Sequence, residues 1–210
     1  MGTSLSDRLP RLILASRSPR RQRLLTDHGL VHEAIQPSID DGQLCRGQAS
    51  PAQWVAALAY LKAAAGADCL GPAMRGPVLV LGADTVCLKN GELIGQARDA
   101  ADADRIIRSL ENGSHDVFTG VALLHIRPDG SRWREVLVDR AHVRVGPIGE
   151  TRIRAYIASG DWRGKAGAYN LSERLQAGWP IQFQGDPSTI MGLPMRALIA
   201  RLERIAARAA

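Results

Sequence analysis

The segment Leu12-Ile13-Leu14-Ala15-Ser16-Arg17-Ser18-Pro19-Arg20-Arg21-Gln22-Arg23-Leu24-Leu25 constrains the fold more than any other part of the chain. Its short apolar run reads as a buried strand. Ser18 stands where a helix N-cap belongs, and Pro19 occupies the first helical position. Leu24 and Leu25 begin the helix's buried face, and Gly29 is a natural stop. A strand that turns through serines into a helix aims unpaired backbone N–H groups and the positive end of the helix dipole at one spot. Such a spot suits phosphate. Arg20 and Arg21 fall in the helix's first turn, where cations oppose the dipole and cost stability unless an anion is bound. A plain surface turn with solvated arginines is the alternative that the local pattern leaves open.

A chain of 210 residues suits one α/β domain with room for two lobes and a real core. Residues 1–10 mix charge and polarity and read as a flexible N-terminus ahead of a single domain over 11–210. No apolar run approaches the ~20 residues that a membrane span needs, and the first ten residues lack a signal-peptide core. A cytoplasmic protein without a membrane partner is therefore expected. The net charge of +6 suits acidic ligands such as nucleotides. Cys45, Cys69 and Cys87 are far apart and form no Cys-x-x-Cys pair, which argues against a disulfide framework or structural zinc. The five histidines show no ligand spacing.

Along the chain, Val31 to Ile35 reads as a strand, followed by Ile39-Asp40-Asp41-Gly42. Adjacent carboxylates on a loop suit a hard cation, or simply form a turn. Ser50-Pro51 opens a helix from Ala52 to about Ala65 that stops at Gly66, with Trp54, Val55, Leu58 and Leu61 as its core face. Lys62, at the edge of that face, reads by itself as a solvated lysine. Val78-Leu79-Val80-Leu81 predicts a strand covered on both sides, with Asp84 at its carboxyl end, where α/β sheets place ligands. Asp99 caps a helix carrying Ile106, Ile107 and Leu110. His115 to His125 and Trp133 to Val145 read as an antiparallel pair, making His125 and His142 sheet residues. Lys165-Ala166-Gly167-Ala168-Tyr169-Asn170 has the small residues that allow a ligand or another backbone to approach closely.

Ala15-Ser16-Arg17-Ser18-Pro19-Arg20-Arg21, Gly82-Ala83-Asp84-Thr85-Val86, Thr119-Gly120-Val121-Ala122, Lys165-Ala166-Gly167-Ala168-Tyr169 and Gly192-Leu193-Pro194 follow one another in the order found in the Maf family of nucleoside triphosphate pyrophosphatases. The chain resembles that family over about residues 12 to 200. The resemblance implies an α/β fold with a mixed, strongly twisted sheet flanked by helices, and two lobes around a central cleft. It implies hydrolysis of a nucleoside triphosphate to monophosphate and pyrophosphate with Mg²⁺ or Mn²⁺, and a homodimer. Clearance of non-standard nucleotides and an influence on cell division are the implied cellular roles. By similarity Asp84 is the general base and a metal ligand, and Asp41 stands at the position of a metal-binding glutamate, one methylene shorter. Ser16, Arg20, Arg21 and Lys62 become phosphate contacts.

Three departures bear on rate and base choice. Gly95-Gln96-Ala97 replaces a common Gly-Lys-Pro and so removes a cation. Asn170-Leu171-Ser172-Glu173 replaces a common Gly-Ile-Gln-Gly, and Ser172 cannot offer the amide pattern of the glutamine that helps choose the base in the thymidine/uridine branch. Gly185-Asp186-Pro187-Ser188 looks more like the 7-methyl-guanosine-triphosphate branch. The base preference stays open at this point, with Arg20, Thr85 and Ser172 as the positions that would set it. A nucleotide-binding regulator with little catalysis is the competing reading, motivated by Gln96 and Asp41. Nucleic-acid binding rests on net charge alone, with no recognition motif behind it.

Overall fold

A computed structural model describes residues 4–37, 39, 44–71 and 76–209. The elements, in chain order, are α1 (Leu5–Arg8), β1 (Arg11–Ala15), α2 (Pro19–Asp27), β2 (Glu33–Ile35), α3 (Pro51–Asp68), β3 (Val78–Lys89), β4 (Glu92–Ile94) and α4 (Ala100–Leu110). They continue with β5 (Gly113–Ile126), β6 (Arg132–Val145), α5 (Glu150–Ser159), α6 (Leu171–Gln176), β7 (Ile181–Gln184), α7 (Pro187–Ile190) and α8 (Met195–Ala209). The sheet is mixed, as expected, with order β2-β1-β3-β5-β6-β7 and β4 on β3. β1 lies parallel to both β2 and β3, whereas β3, β5, β6 and β7 pair antiparallel.

Alternation along β1 and β3 divides the first core into two layers. Ile13, Ala15, Val78 and Val80 face α3 through its Ala59, Ala63 and Ala67. Leu12, Leu14, Leu79 and Leu81 face the other way, onto Leu24 and Leu25 of α2 and Leu198 and Leu202 of α8. A separate cluster gathers Ile106, Ile107 and Leu110 of α4, Ile153 and Tyr156 of α5, Trp162, Trp179 and the far halves of β5 and β6.

β1 reaches β3 only through Leu14–Leu81, while β3 stays paired with β5 as far as Leu88–Asp116. Past Leu81, β3 therefore runs beyond its parallel neighbour. Asp84 and Thr85 lie in this overhang, in the middle of a twelve-residue strand and not at its carboxyl end as the apolar run suggested. Glycines hold α3 against the sheet here. A Cβ on Gly82 would strike the backbone carbonyl of Ala59, and one on Gly120 that of Val55.

The structure corrects several local expectations. Gly66 lies inside α3, where a Cβ would meet Ala15 Cβ at 2.5 Å, so it serves close packing and not termination. Leu61 is 40% exposed and Trp54 is half-buried, leaving Val55, Leu58, Ala59 and Ala63 as the core face. β2 starts at Glu33, and Val31 is solvent-facing. Ahead of β1, Ser4 and Asp7 form a capping box around α1, and Leu5 and Leu9 pack on the core, which leaves the expectation for residues 1–10 untouched. No helix among the described residues is long and apolar enough to cross a membrane.

Candidate functional site

The overhang of β3 opens into a cleft of about 750 Å³, a size suited to a small-molecule ligand. One wall is the β1–α2 turn. Ser18 caps α2, its Oγ accepting from Arg21 N, and Ser18 N in turn donates to Ser16 Oγ at 3.2 Å. The strand–serine–proline pattern thus forms the predicted cap. Arg21 folds back over this turn. Its Nε donates to Gly192 O at 2.9 Å, Nη1 to Ser16 Oγ at 3.3 Å and Nη2 to Thr85 Oγ1 at 3.2 Å. Three acceptors on three different segments fix the plane of the guanidinium.

The floor is Asp84. Alternation sends it to the α3 face of β3, where Lys62 Nζ donates to Oδ1 at 2.6 Å. Both side chains are largely buried, so the lysine read as bland is a partner of the cleft's acid. Thr85 points to the opposite face, toward Arg21. Asp84 and Thr85 can both line one cleft because, among the described residues, no strand pairs with 82–86 of β3 on the side between β1 and β4.

The facing wall is the segment from Arg163 to Asn170 together with Ile190 to Gly192. Arg20 crosses to it, Nη2 donating to Gly164 O at 2.5 Å. Burial pulls the Arg20 guanidinium below its ordinary pKa, and the charge of Glu173 counters part of that effect. Behind the wall, Lys165 is buried and paired with Glu173. Tyr156 OH donates to Ala168 O at 2.7 Å, and Tyr169 OH meets His115 Nε2 at 2.9 Å. Ala168 holds φ at +59°, and a Cβ on Gly167 would meet Cys87 Sγ at 2.6 Å. The tight backbone expected of the 165–170 segment is thus real, and it packs against protein. A bridge between Gln96 and Ala166 ties in the β4 side.

Arg17, Arg20, Arg21, Lys62 and Arg163 line the cleft against one carboxylate among the described lining residues, Asp84. Planar guanidinium forks and an ammonium around a concave opening suit a polyanion. Of the residues expected from sequence, Ser16, Arg20, Arg21, Lys62, Asp84 and Thr85 come together here. Asp41 lies outside the described residues. Ser172 is exposed on α6 and donates to Asn170 Oδ1 at 2.8 Å, while it is Asn170 that faces the cleft. Sequence reasoning noticed the 165–170 segment but assigned none of its residues to the site. Arg163 and Gly164 carry no local signal, and only long-range register could have placed them.

As for a divalent cation, the described residues hold no cluster of three or more His, Cys, Asp or Glu side chains. Mg²⁺ often uses one or two carboxylates and completes its shell with water and substrate phosphates, so Asp84 is a fitting donor for that mode of binding.

A family model described as "Maf-like protein" matches residues 11–205. The dTTP/UTP pyrophosphatase of Salinibacter ruber is 36% identical over 191 residues, covering 91% of this chain and 89% of that protein. The protein of the same name from Pelotomaculum thermopropionicum is 35% identical over 193 residues, 92% of this chain and 95% of its own length. That of Salmonella typhimurium is 38% identical over 184 residues, 88% and 87% respectively. A solved nucleoside-triphosphatase, the dITP/XTP pyrophosphatase of Mycobacterium abscessus, aligns with a TM-score of 0.36 at 17% identity over 64% of this chain and 74% of that chain, too slight a likeness to carry an argument.

Proposed function

The chain belongs to the Maf family, and from that premise we propose that it hydrolyses dTTP and UTP to the monophosphate and pyrophosphate. The observation that carries the reading is the Lys62–Asp84 pair on the floor of a cleft whose rim is Ser16, Arg20 and Arg21. The preference for thymine and uracil comes from the relatives' names. It takes precedence over the Gly185-Asp186-Pro187-Ser188 segment, whose Asp186 caps α7 and donates nothing to the cleft lining.

Breaking the α–β phosphoanhydride needs water directed at the α-phosphorus and a stabilised pyrophosphate leaving group. Asp84 is the group to take the proton from that water. Lys62 on Oδ1 fixes the carboxylate's orientation. Arg21 and Arg20 neutralise the charge that gathers on the departing pyrophosphate, with the amides of the Ser16–Arg21 turn alongside. By family resemblance Asp84 and Asp41 would hold Mg²⁺ or Mn²⁺, which would supply further neutralisation of the triphosphate and a more acidic bound water. Nucleotide clearance, a cell-division role and a homodimer, which rest on family resemblance alone, and a cytoplasmic location, which rests on the sequence pattern, complete the proposal.

The test is pyrophosphate release from standard and methylated nucleoside triphosphates, with and without divalent cation. Release that is greatest for dTTP and UTP and requires the cation is the expected result. Saturable nucleotide binding with no pyrophosphate from any substrate would make the protein a nucleotide-binding regulator.

A further inference from the structure

The Thr119-Gly120-Val121 segment carries no assigned site residue in sequence, yet it stands directly behind the cleft. Thr119 is fully buried on β5, opposite Thr85 in register. Its Oγ1 lies 2.7 Å from Thr189 O and 2.9 Å from Thr85 Oγ1. Thr189 is itself buried, and its own hydroxyl donates to Asp139.

The donor inventory fixes the direction of this chain. A carbonyl oxygen only accepts, so the single hydroxyl proton of Thr119 goes to Thr189 O. Thr119 must then accept from Thr85, which uses Thr85's only proton. Arg21 Nη2 has only protons to give, so it donates to Thr85 Oγ1. Arg21, Thr85, Thr119 and the Thr189 carbonyl thus form a one-way relay. A hydroxyl can ordinarily either donate or accept. Thr85 is denied the first option, and what it retains toward the cleft is a lone pair.

We propose that Thr119 is a positioning residue that makes Thr85 an acceptor-only contact, so that the cleft selects a ligand bearing a hydrogen-bond donor there, such as the ring N3–H of uracil or thymine. Cytosine has a lone pair at the same ring position and is disfavoured. This inference rests on the pyrophosphatase reading and adds to it the origin of base selection. Thr119 touches no substrate and acts through Thr85.

The experiment compares Thr119→Val, which keeps the shape and removes the hydroxyl, with Thr119→Ser, which keeps the hydroxyl. kcat and KM are measured for UTP and CTP, and equilibrium binding of both nucleotides is measured by calorimetry. In Thr119→Val, Thr85 regains a proton to donate into the cleft. The UTP-to-CTP preference should fall about tenfold, through KM more than kcat, and Thr119→Ser should restore it. An unchanged preference in folded Thr119→Val, or equal losses in the valine and serine variants, overturns the relay while leaving the pyrophosphatase intact. A wild-type protein that binds UTP in preference to CTP, loses that preference in Thr119→Val and releases no pyrophosphate supports the relay and overturns the hydrolase.

Discussion

The two walls of the cleft are built differently. The wall of Ser16, Arg21, Lys62 and Asp84 comes from the β1–α2 turn, α2, α3 and β3, all seated on the first core. The opposite wall is a loop, Arg163 to Asn170, shaped by hydrogen bonds and ring contacts from behind. Regular elements hold side chains within the tolerances that proton transfer requires. A loop held by a few polar contacts is better suited to shaping a recognition surface. The difference teaches a division of labour: the first wall carries the chemistry and the base-selecting Thr85, and the second shapes how the rest of the ligand fits.

The largest expected effect falls on the first wall. Asp84→Asn should lower turnover about 10³-fold, roughly 4 kcal/mol of barrier, while nucleotide binding measured by calorimetry persists. If a change confined to the loop wall costs as much turnover, the division is wrong. Gly82→Ala comes next. The added methyl would meet the carbonyl of Ala59 and force α3 away from the sheet, at a cost of about 3 kcal/mol in denaturant unfolding. Because Lys62 rides on α3, activity should fall further than the lost stability explains.

The second wall should reveal itself through pH. Burial drives His115 down to about 4, below its ordinary value of 6.5. Between these values the unfolded chain binds a proton that the folded chain refuses. The stability linked to His115 is therefore complete above pH 6.5 and is lost as pH falls toward 4. The difference in acid sensitivity between wild type and His115→Gln should reach roughly 2–3 kcal/mol over that window, read from unfolding curves. Smallest of all, Tyr169→Phe removes the hydroxyl that meets His115 and should cost about 1 kcal/mol of stability. Its effect on activity should appear in KM and leave kcat nearly unchanged. A large kcat loss would move the loop wall into the chemistry.

Those same walls differ in how readable they were. The Ser18 cap, Pro19 and the arginine pair follow from local rules, and the cap forms as read. The unbroken apolar runs predict a buried strand at Leu12–Ala15 and one covered on both faces at Val78–Leu81, and the two core layers bear this out. Local patterning could not show where β1 ends relative to β3, so it placed Asp84 at a strand terminus instead of in an overhang. Nor could it tell a helix-ending glycine from one that makes room for the side chains of neighbouring strands, which is why Gly66 misled. Lys62 looks like any surface lysine until α3 is laid on the sheet. Ser172 and Asn170 are two residues apart, and only the cap geometry of α6 decides which of them meets the cleft. The relay through Thr119 depends on register across β3 and β5 and on α7, all beyond the reach of local pattern.

The bare glycines where α3 meets the sheet carry a consequence for how this protein can vary. Gly66, Gly82 and Gly120 meet no ligand, yet they set how near Lys62 comes to Asp84. In a survey of single substitutions scored by turnover, these positions would therefore behave as though they touched substrate. Freedom to drift at positions outside the cleft lining would be denied by nothing more than the thickness of one methyl group.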